Sequence, residues 1–294
     1  MYHTDYKQLL DENDCIEVYK GDYFNSNKSR NCKKVIVFDL DETLGSFVDL
    51  DILWNTIQFV CNKDNPISHY DLFDLYPEFL RPNIINILKY IHKKKKKGDC
   101  YKLYIYTNNQ SQTFSVNQVT EYLNCKVVKN EILFDQIIYA FKINNCIVQV
   151  GRTTHNKTYN DLINCTLLPK KTAICFLDDL EFDEMKKERI YYIQPQAYKH
   201  NLTTNAILKR LFNSKYACLL ENYKDGIINH FIARSIKFNT YTETPINDKS
   251  YYQLQTIISK KIMYHLRDFF LLTKKNNKTK KLKPSSFNFT RKNI

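Results

Sequence analysis

No apolar run in these 294 residues reaches the roughly 18 to 20 needed to cross a bilayer, so no membrane-spanning helix is expected. The N-terminal segment MYHTDYKQLLDENDC mixes charges of both signs and has no apolar stretch of the kind a signal peptide carries. An intracellular protein, cytoplasmic or nuclear and not secreted, is therefore expected. Nine cysteines are scattered along the chain with no CxxC pair. That spacing excludes a zinc ribbon and argues for reduced thiols rather than a disulfide framework. Glycine (5) and proline (7) are scarce, as are alanine and arginine, whereas Lys, Asn, Ile, Tyr and Phe are abundant. An AT-rich genome produces this bias through its codons. The net charge of +13 is then largely compositional and supports a nucleic-acid partner only weakly. There is no internal repeat.

What remains is a globular composition, with 43% hydrophobic residues. Residues 1–32 read as a leader ending in the polar loop FNSNKSRN. From residue 33 to 200, short β-rich runs alternate with helical stretches. The strand candidates are KVIVFDL (34–40), YKLYIYT (101–107), QIIYAF (136–141), TAICFLDD (172–179) and RIYYI (189–193). NIINILKYIHKK (83–94) and SVNQVTEYL (115–123) have the spacing of covering helices. Near-continuous apolar strands suit a parallel sheet buried on both faces. The alternation predicts an α/β fold with a doubly wound, Rossmann-like sheet. An insertion over residues 46–80 contains a helical pattern, DLDILWNTIQFVC (49–61), with Trp54 on its packed face. Residues 201–273 read as a helical C-terminal extension, and 274–294 as a basic, disordered tail.

Placed on this frame, the polar residues converge. Asp39 and Asp41 leave the first strand, Thr107 the second, and Asp178 with Asp179 the fourth. Ligands of such sheets bind beyond the carboxyl ends of the strands. Residues two apart in a strand point the same way, so Asp39 and Asp41 reach one small volume. Two carboxylates there repel unless a cation lies between them or one keeps its proton. A hard divalent cation with oxygen ligands, Mg²⁺, answers that repulsion, with Asp39, Asp41, Asp178 and Asp179 as its candidate ligands. Covalent phosphoryl transfer follows from such a constellation. Asp39 is the candidate nucleophile, Asp41 the acid and base, Thr107 a donor to a phosphoryl oxygen, and Lys157 in THNKTYNDLI the positive charge beside them.

The segment VIVFDLDETLG resembles the first motif of the haloacid dehalogenase superfamily. Its DLDETL form is similar to the branch of RNA polymerase II C-terminal-domain phosphatases, the FCP/SCP or NLI-interacting-factor family. FLRPNI (79–84) is similar to the RPG segment of that family, and Thr107, Lys157 and CFLDD fall in order as its second, third and fourth motifs. The resemblance covers residues 33 to 200. It implies an aspartyl-phosphate mechanism with Asp39 as nucleophile and Asp41 as acid/base. It also implies Mg²⁺ held by Asp39, the main-chain carbonyl of Asp41, and Asp179 with help from Asp178, and a phosphoserine or phosphothreonine of a protein or peptide as substrate. Family and composition together fit an AT-rich eukaryote or a large DNA virus. Two other functions stay open at this point. One is a nucleic-acid end or nucleotide phosphatase on the same fold. The other is a non-catalytic scaffold using the amphipathic segment 251–272 as a partner surface.

Overall fold

The computed structural model describes residues 15–25, 32–62, 67–110, 113–129, 131–244 and 248–272. Runs rich in β-branched and aromatic residues form the strands β1 (Ile16–Lys20), β2 (Lys34–Phe38), β3 (Lys102–Tyr106), β4 (Gln136–Ile138), β5 (Lys142–Ile143), β6 (Cys146–Ile147), β7 (Ala173–Leu177) and β8 (Ile190–Pro195). The helices are α1 (Asp22–Asn25), α2 (Val48–Cys61), α3 (His69–Leu75), α4 (Ile84–Lys96), α5 (Thr113–Val127), α6 (Tyr159–Thr166), α7 (Thr204–Phe212), α8 (Ala217–Leu220), α9 (Lys224–Lys237) and α10 (Asp248–Leu272).

Six strands make one sheet in the order β1-β8-β7-β2-β3-β4. All neighbours are parallel except β1, which runs antiparallel to β8. The chain lays down β2, β3 and β4 in one direction, then crosses to the other side of β2 for β7 and β8. The order therefore reverses beside β2, and that reversal opens a crevice at the carboxyl ends of β2 and β7. β5 and β6 form a separate small hairpin.

Strand periodicity explains the continuous apolar runs. Ile36, Phe38, Leu103, Ile105, Cys175 and Leu177 face one core, whereas Val35, Val37, Tyr104, Tyr106, Ile174 and Phe176 face the other. The two faces are covered very unequally. Leu162 of α6, with Leu168 and Met185, closes the second. The first is covered by residues of α2, α4, α5, α7, α9 and α10 in one continuous cluster.

That continuity revises the domain boundaries read from the sequence. Residues 16–20, taken as leader, are the antiparallel edge strand of the main sheet; with only five residues, their signal was too short to read. The C-terminal extension also packs into the principal core, since Ile258, Ile262, Leu266, Phe269 and Phe270 of α10 are buried. One face of the amphipathic segment 251–272 is thus packed inside the molecule, while Tyr252, Tyr264 and Leu271 stay exposed. Within the extension read as helical, residues 204–220 form two helices, α7 and α8, rather than one. The insertion is helical, as its pattern predicts, and Trp54 packs against the core with its ring edge-to-face with His69. Residues 1–14 of the leader and the tail 274–294 lie outside the described residues. No helix among the described residues is long and apolar enough to cross a membrane.

Phe269 tests whether α10 belongs to the core. Its ring lies against Phe24 and Tyr191, at centroid distances of 6.0 and 5.9 Å. Phe269→Ala should cost ~3–5 kcal/mol, read as a lower urea midpoint of the whole chain in one transition. A local loss of helix with an unchanged main transition would show instead that α10 is an appendage.

Candidate active site

β2 and β7 run side by side in register, Phe38 opposite Leu177, and the Asp39 amide donates to the Leu177 carbonyl at 2.8 Å. Asp39 and Asp178, the next residue on each strand, consequently emerge together at the crevice. Lys157 comes from a third segment. It immediately precedes Thr158, the N-cap of α6, whose first turn is fixed by the Thr158 side chain accepting from the Asp161 amide at 3.0 Å. The lysine ammonium is wholly buried and donates to Asp39 Oδ1 and, at 2.6 Å, to Asp178 Oδ2. Burial pulls its pKa down, but the two carboxylates outweigh burial and hold it above the ordinary lysine value.

One ammonium does not balance the acid around it. Ligand oxygens of Asp39, Asp178 and Asp179 all lie within 4.8 Å of one another. Burial, and then the charge of Asp39, pushes Asp179 up to about 6. Burial drives Asp178 well above the usual carboxylate range, with Lys157 opposing and Asp39 adding to the shift. Asp41 rises to about 7 for the same first two reasons, burial and Asp39, with Asn109 opposing. Three buried carboxylates of this kind could hold a metal ion, because a cation would supply the positive charge that the protein leaves out.

The side chains are not equally open. Both Asp178 oxygens are taken, Oδ2 by Lys157 and Oδ1 by the Leu180 amide at 3.0 Å. Asp179 Oδ1 accepts from the Thr43 hydroxyl at 2.8 Å, and the same hydroxyl accepts from the Asp179 amide at 3.1 Å. The Asp41 carboxylate stands apart from the three-carboxylate cluster. Its Oδ2 accepts from Asn109 at 2.7 Å, while its Oδ1 is buried and has no hydrogen-bond partner among the described residues. Thr107, buried at the end of β3, accepts from the Asn109 amide at 2.9 Å, which leaves its own proton available to donate. The structure thus brings every sequence-derived site residue to one edge of the sheet.

Several residues that hold this arrangement escaped the sequence reading. Arg152 is buried and donates to the Thr107 and Tyr139 carbonyls, to Asn108 Oδ1, and to the His155 and Asn156 carbonyls. It ties the end of β3 to the segment before Lys157. Arg81 does the same for the turn after β2. Nothing in composition or periodicity marks a buried arginine, although its place in FLRPNI gave Arg81 a signal. Asn108 and Asn109 could have been found only by their position directly after the strand-end Thr107.

The turn itself, residues 41–45, is tight. Glu42 donates its amide to Gly45 O at 2.6 Å and sits at φ 59°, in the left-handed region. Gly45 admits no side chain, because a Cβ there would fall 2.4 Å from the Phe79 carbonyl oxygen. Asn83, in the third position of the RPN segment, is also left-handed, with φ 63°. Asparagine tolerates that region better than most residues, which is how a glycine-poor chain makes this corner.

No family model, curated protein or solved structure matches this chain.

The two ends of the turn make opposite predictions. Glu42→Gly relieves a left-handed non-glycine residue and should gain ~1 kcal/mol of stability. Gly45→Ala forces the backbone apart and should lose ~1–3 kcal/mol. Equilibrium urea unfolding of both variants checks this, and equal shifts of the same sign would contradict the geometry.

Proposed function

We propose that this chain is a Mg²⁺-dependent phosphatase of the haloacid dehalogenase type, acting on phosphoserine or phosphothreonine in a protein. The observation that carries the reading is the buried Lys157 bridge between Asp39 and Asp178, with Asp41, whose carboxyl burial pushes up to about 7, two residues from Asp39. The resemblance of DLDETL to the polymerase-tail phosphatases supports the substrate class. The strand order, with the first motif beside the point of reversal, is compatible with the superfamily's Rossmann-like sheet.

The residues present fit the ion. The side chains of Asp39 and Asp179 and the main-chain carbonyl of Asp41 would hold it, with Asp178 assisting, and no softer sulfur or nitrogen ligand belongs to the three-carboxylate cluster among the described residues. When bound, Mg²⁺ would offset negative charge on the carboxylates and on the phosphoryl oxygens. The remaining chemistry belongs to the chain. An Asp39 oxygen attacks phosphorus while the bond from phosphorus to the seryl or threonyl oxygen breaks. Asp41, whose pKa near 7 leaves it substantially protonated in neutral solution, gives its proton to the departing oxygen. Water then attacks the aspartyl-phosphate. Asp41 takes a proton from that water, and Asp39 leaves as a carboxylate with inorganic phosphate as product. Lys157 holds Asp39 in place and keeps positive charge beside it, and Thr107 has a hydroxyl proton to offer a phosphoryl oxygen.

The test is phosphate release with and without Mg²⁺ from a Ser/Thr-phosphorylated polymerase-tail peptide and a 3′-phosphorylated oligonucleotide. Asp39→Asn should lose at least about 1,000-fold in kcat, because the nucleophile acts as part of a unit. Asp41→Asn should lose ~10²–10⁴-fold on the phosphopeptide. Its loss on an aryl phosphate should be smaller, since a phenolate leaves without a proton. Chelation should stop turnover, and added Mg²⁺ should restore it. Turnover of the oligonucleotide alone would move the substrate to nucleic-acid ends. Full activity in Asp39→Asn would end the mechanism.

A further inference from the structure

We infer that Gln255, on the C-terminal helix α10, is a positioning residue for the turn after β2 and acts through Arg81. Arg81 is only 1% exposed. Its Nε donates to the Thr43 carbonyl at 2.7 Å, its Nη2 to the Glu42 and Gln196 carbonyls at 2.5 and 2.9 Å, and its Nη1 to Gln255 Oε1 at 2.7 Å. One guanidinium thus joins the turn, the end of β8 and α10. Among the described residues its hydrogen-bond partners are all neutral, with Gln255 the one side chain that accepts from it, and the Tyr198 ring lies 5.4 Å from the guanidinium.

The path from Gln255 to the carboxylates is short. Gln255 fixes the plane of the guanidinium, and the guanidinium fixes the Glu42 and Thr43 carbonyls. The Thr43 side chain in turn holds Asp179. An arginine fork is planar and rigid, so losing the Nη1 partner frees it to tilt and takes both carbonyls with it. Ser259, one turn further along α10, donates to the Pro82 carbonyl at 2.5 Å. It docks the same helix on the same segment without touching the guanidinium. Ser259 therefore separates docking of α10 from positioning by Gln255.

The structural part of this inference stands alone; its catalytic consequence rests on the phosphatase reading. The experiment is hydrogen exchange by mass spectrometry over residues 39–47 in the full chain, beside phosphate release. Gln255→Met, which removes the acceptor, and Gln255→Asn, which is too short to reach, should speed exchange of the Glu42 and Leu44 amides. The expected factor is about tenfold to hundredfold, the worth of a hydrogen bond to a charged group. Gln255→Glu, which keeps an acceptor in place, should restore protection. Ser259→Ala should leave this peptide unchanged. If the wild type releases phosphate, kcat should follow the exchange rates across these variants while KM stays within about twofold to threefold. Unchanged exchange in both Gln255→Met and Gln255→Asn would overturn the inference, as would equal acceleration in Ser259→Ala. Exchange that responds as expected in a wild type that releases no phosphate would keep the positioning role and reject the phosphatase reading.

Discussion

An ammonium removed from water costs several kcal/mol unless its partners surround it closely. Lys157 meets that demand with Asp39 and Asp178, and much of the molecule is arranged to keep the three together. The parallel register of β2 with β7 decides that the two aspartates emerge side by side, because Phe38 lies opposite Leu177. A slip of one residue would turn one carboxylate into the sheet face. A third segment brings in the lysine just before α6, whose first turn is tied by Thr158 and by Asp161; Asp161 also accepts from the Thr153 amide. Carboxylates beyond those the lysine can neutralise then keep their protons or await a cation. Burial first, with the charge of Asp39 adding to it, raises the pKa values of Asp41, Asp178 and Asp179.

The loops around the site are held by a means suited to a chain with five glycines. Besides the one tight turn at Gly45, two buried guanidiniums gather backbone carbonyls from loops distant in sequence. Arg81 draws in the turn after β2 and the end of β8, and Arg152 draws in the end of β3 and the segment before Lys157. Burying a charge on neutral acceptors is expensive; burial lowers the Arg81 pKa to about 10. The cost is offset only while every carbonyl stays in place, so each arginine makes its loops interdependent.

The alternation of strands and helices and the strand-end carboxylates were legible because they are local. A buried parallel strand writes a continuous apolar run, and an aspartate at its end stands out against that run. Asp39, Asp41, Thr107, Asp178 and Asp179 were therefore found, and Lys157 followed from its motif. What could not be read depends on partners far along the chain. The edge strand Ile16–Lys20 has no pattern of its own and becomes a strand only by pairing with β8. Gln255 looks like any other polar position of an amphipathic helix until Arg81 is placed against it, 174 residues away. What α10 packs against was hidden for the same reason: amphipathicity gives the existence of an apolar face but not what covers it.

The first described strand and the last described helix meet on one flank, where Lys20 of β1 pairs with Asp268 of α10 at 2.8 Å, 248 residues apart. Synthesis runs from the N-terminus, so Asp39, Thr107, Lys157 and Asp179 all leave the ribosome well before Gln255. During that interval the turn after β2 lacks its last anchor, β1 has no α10 to seal it, and contacts of such long range form late. The contact from Gln255 to Arg81 therefore forms only once residue 255 has been made. A chain broken before residue 255 would carry every carboxylate of the site and still lack the side chain that holds Arg81.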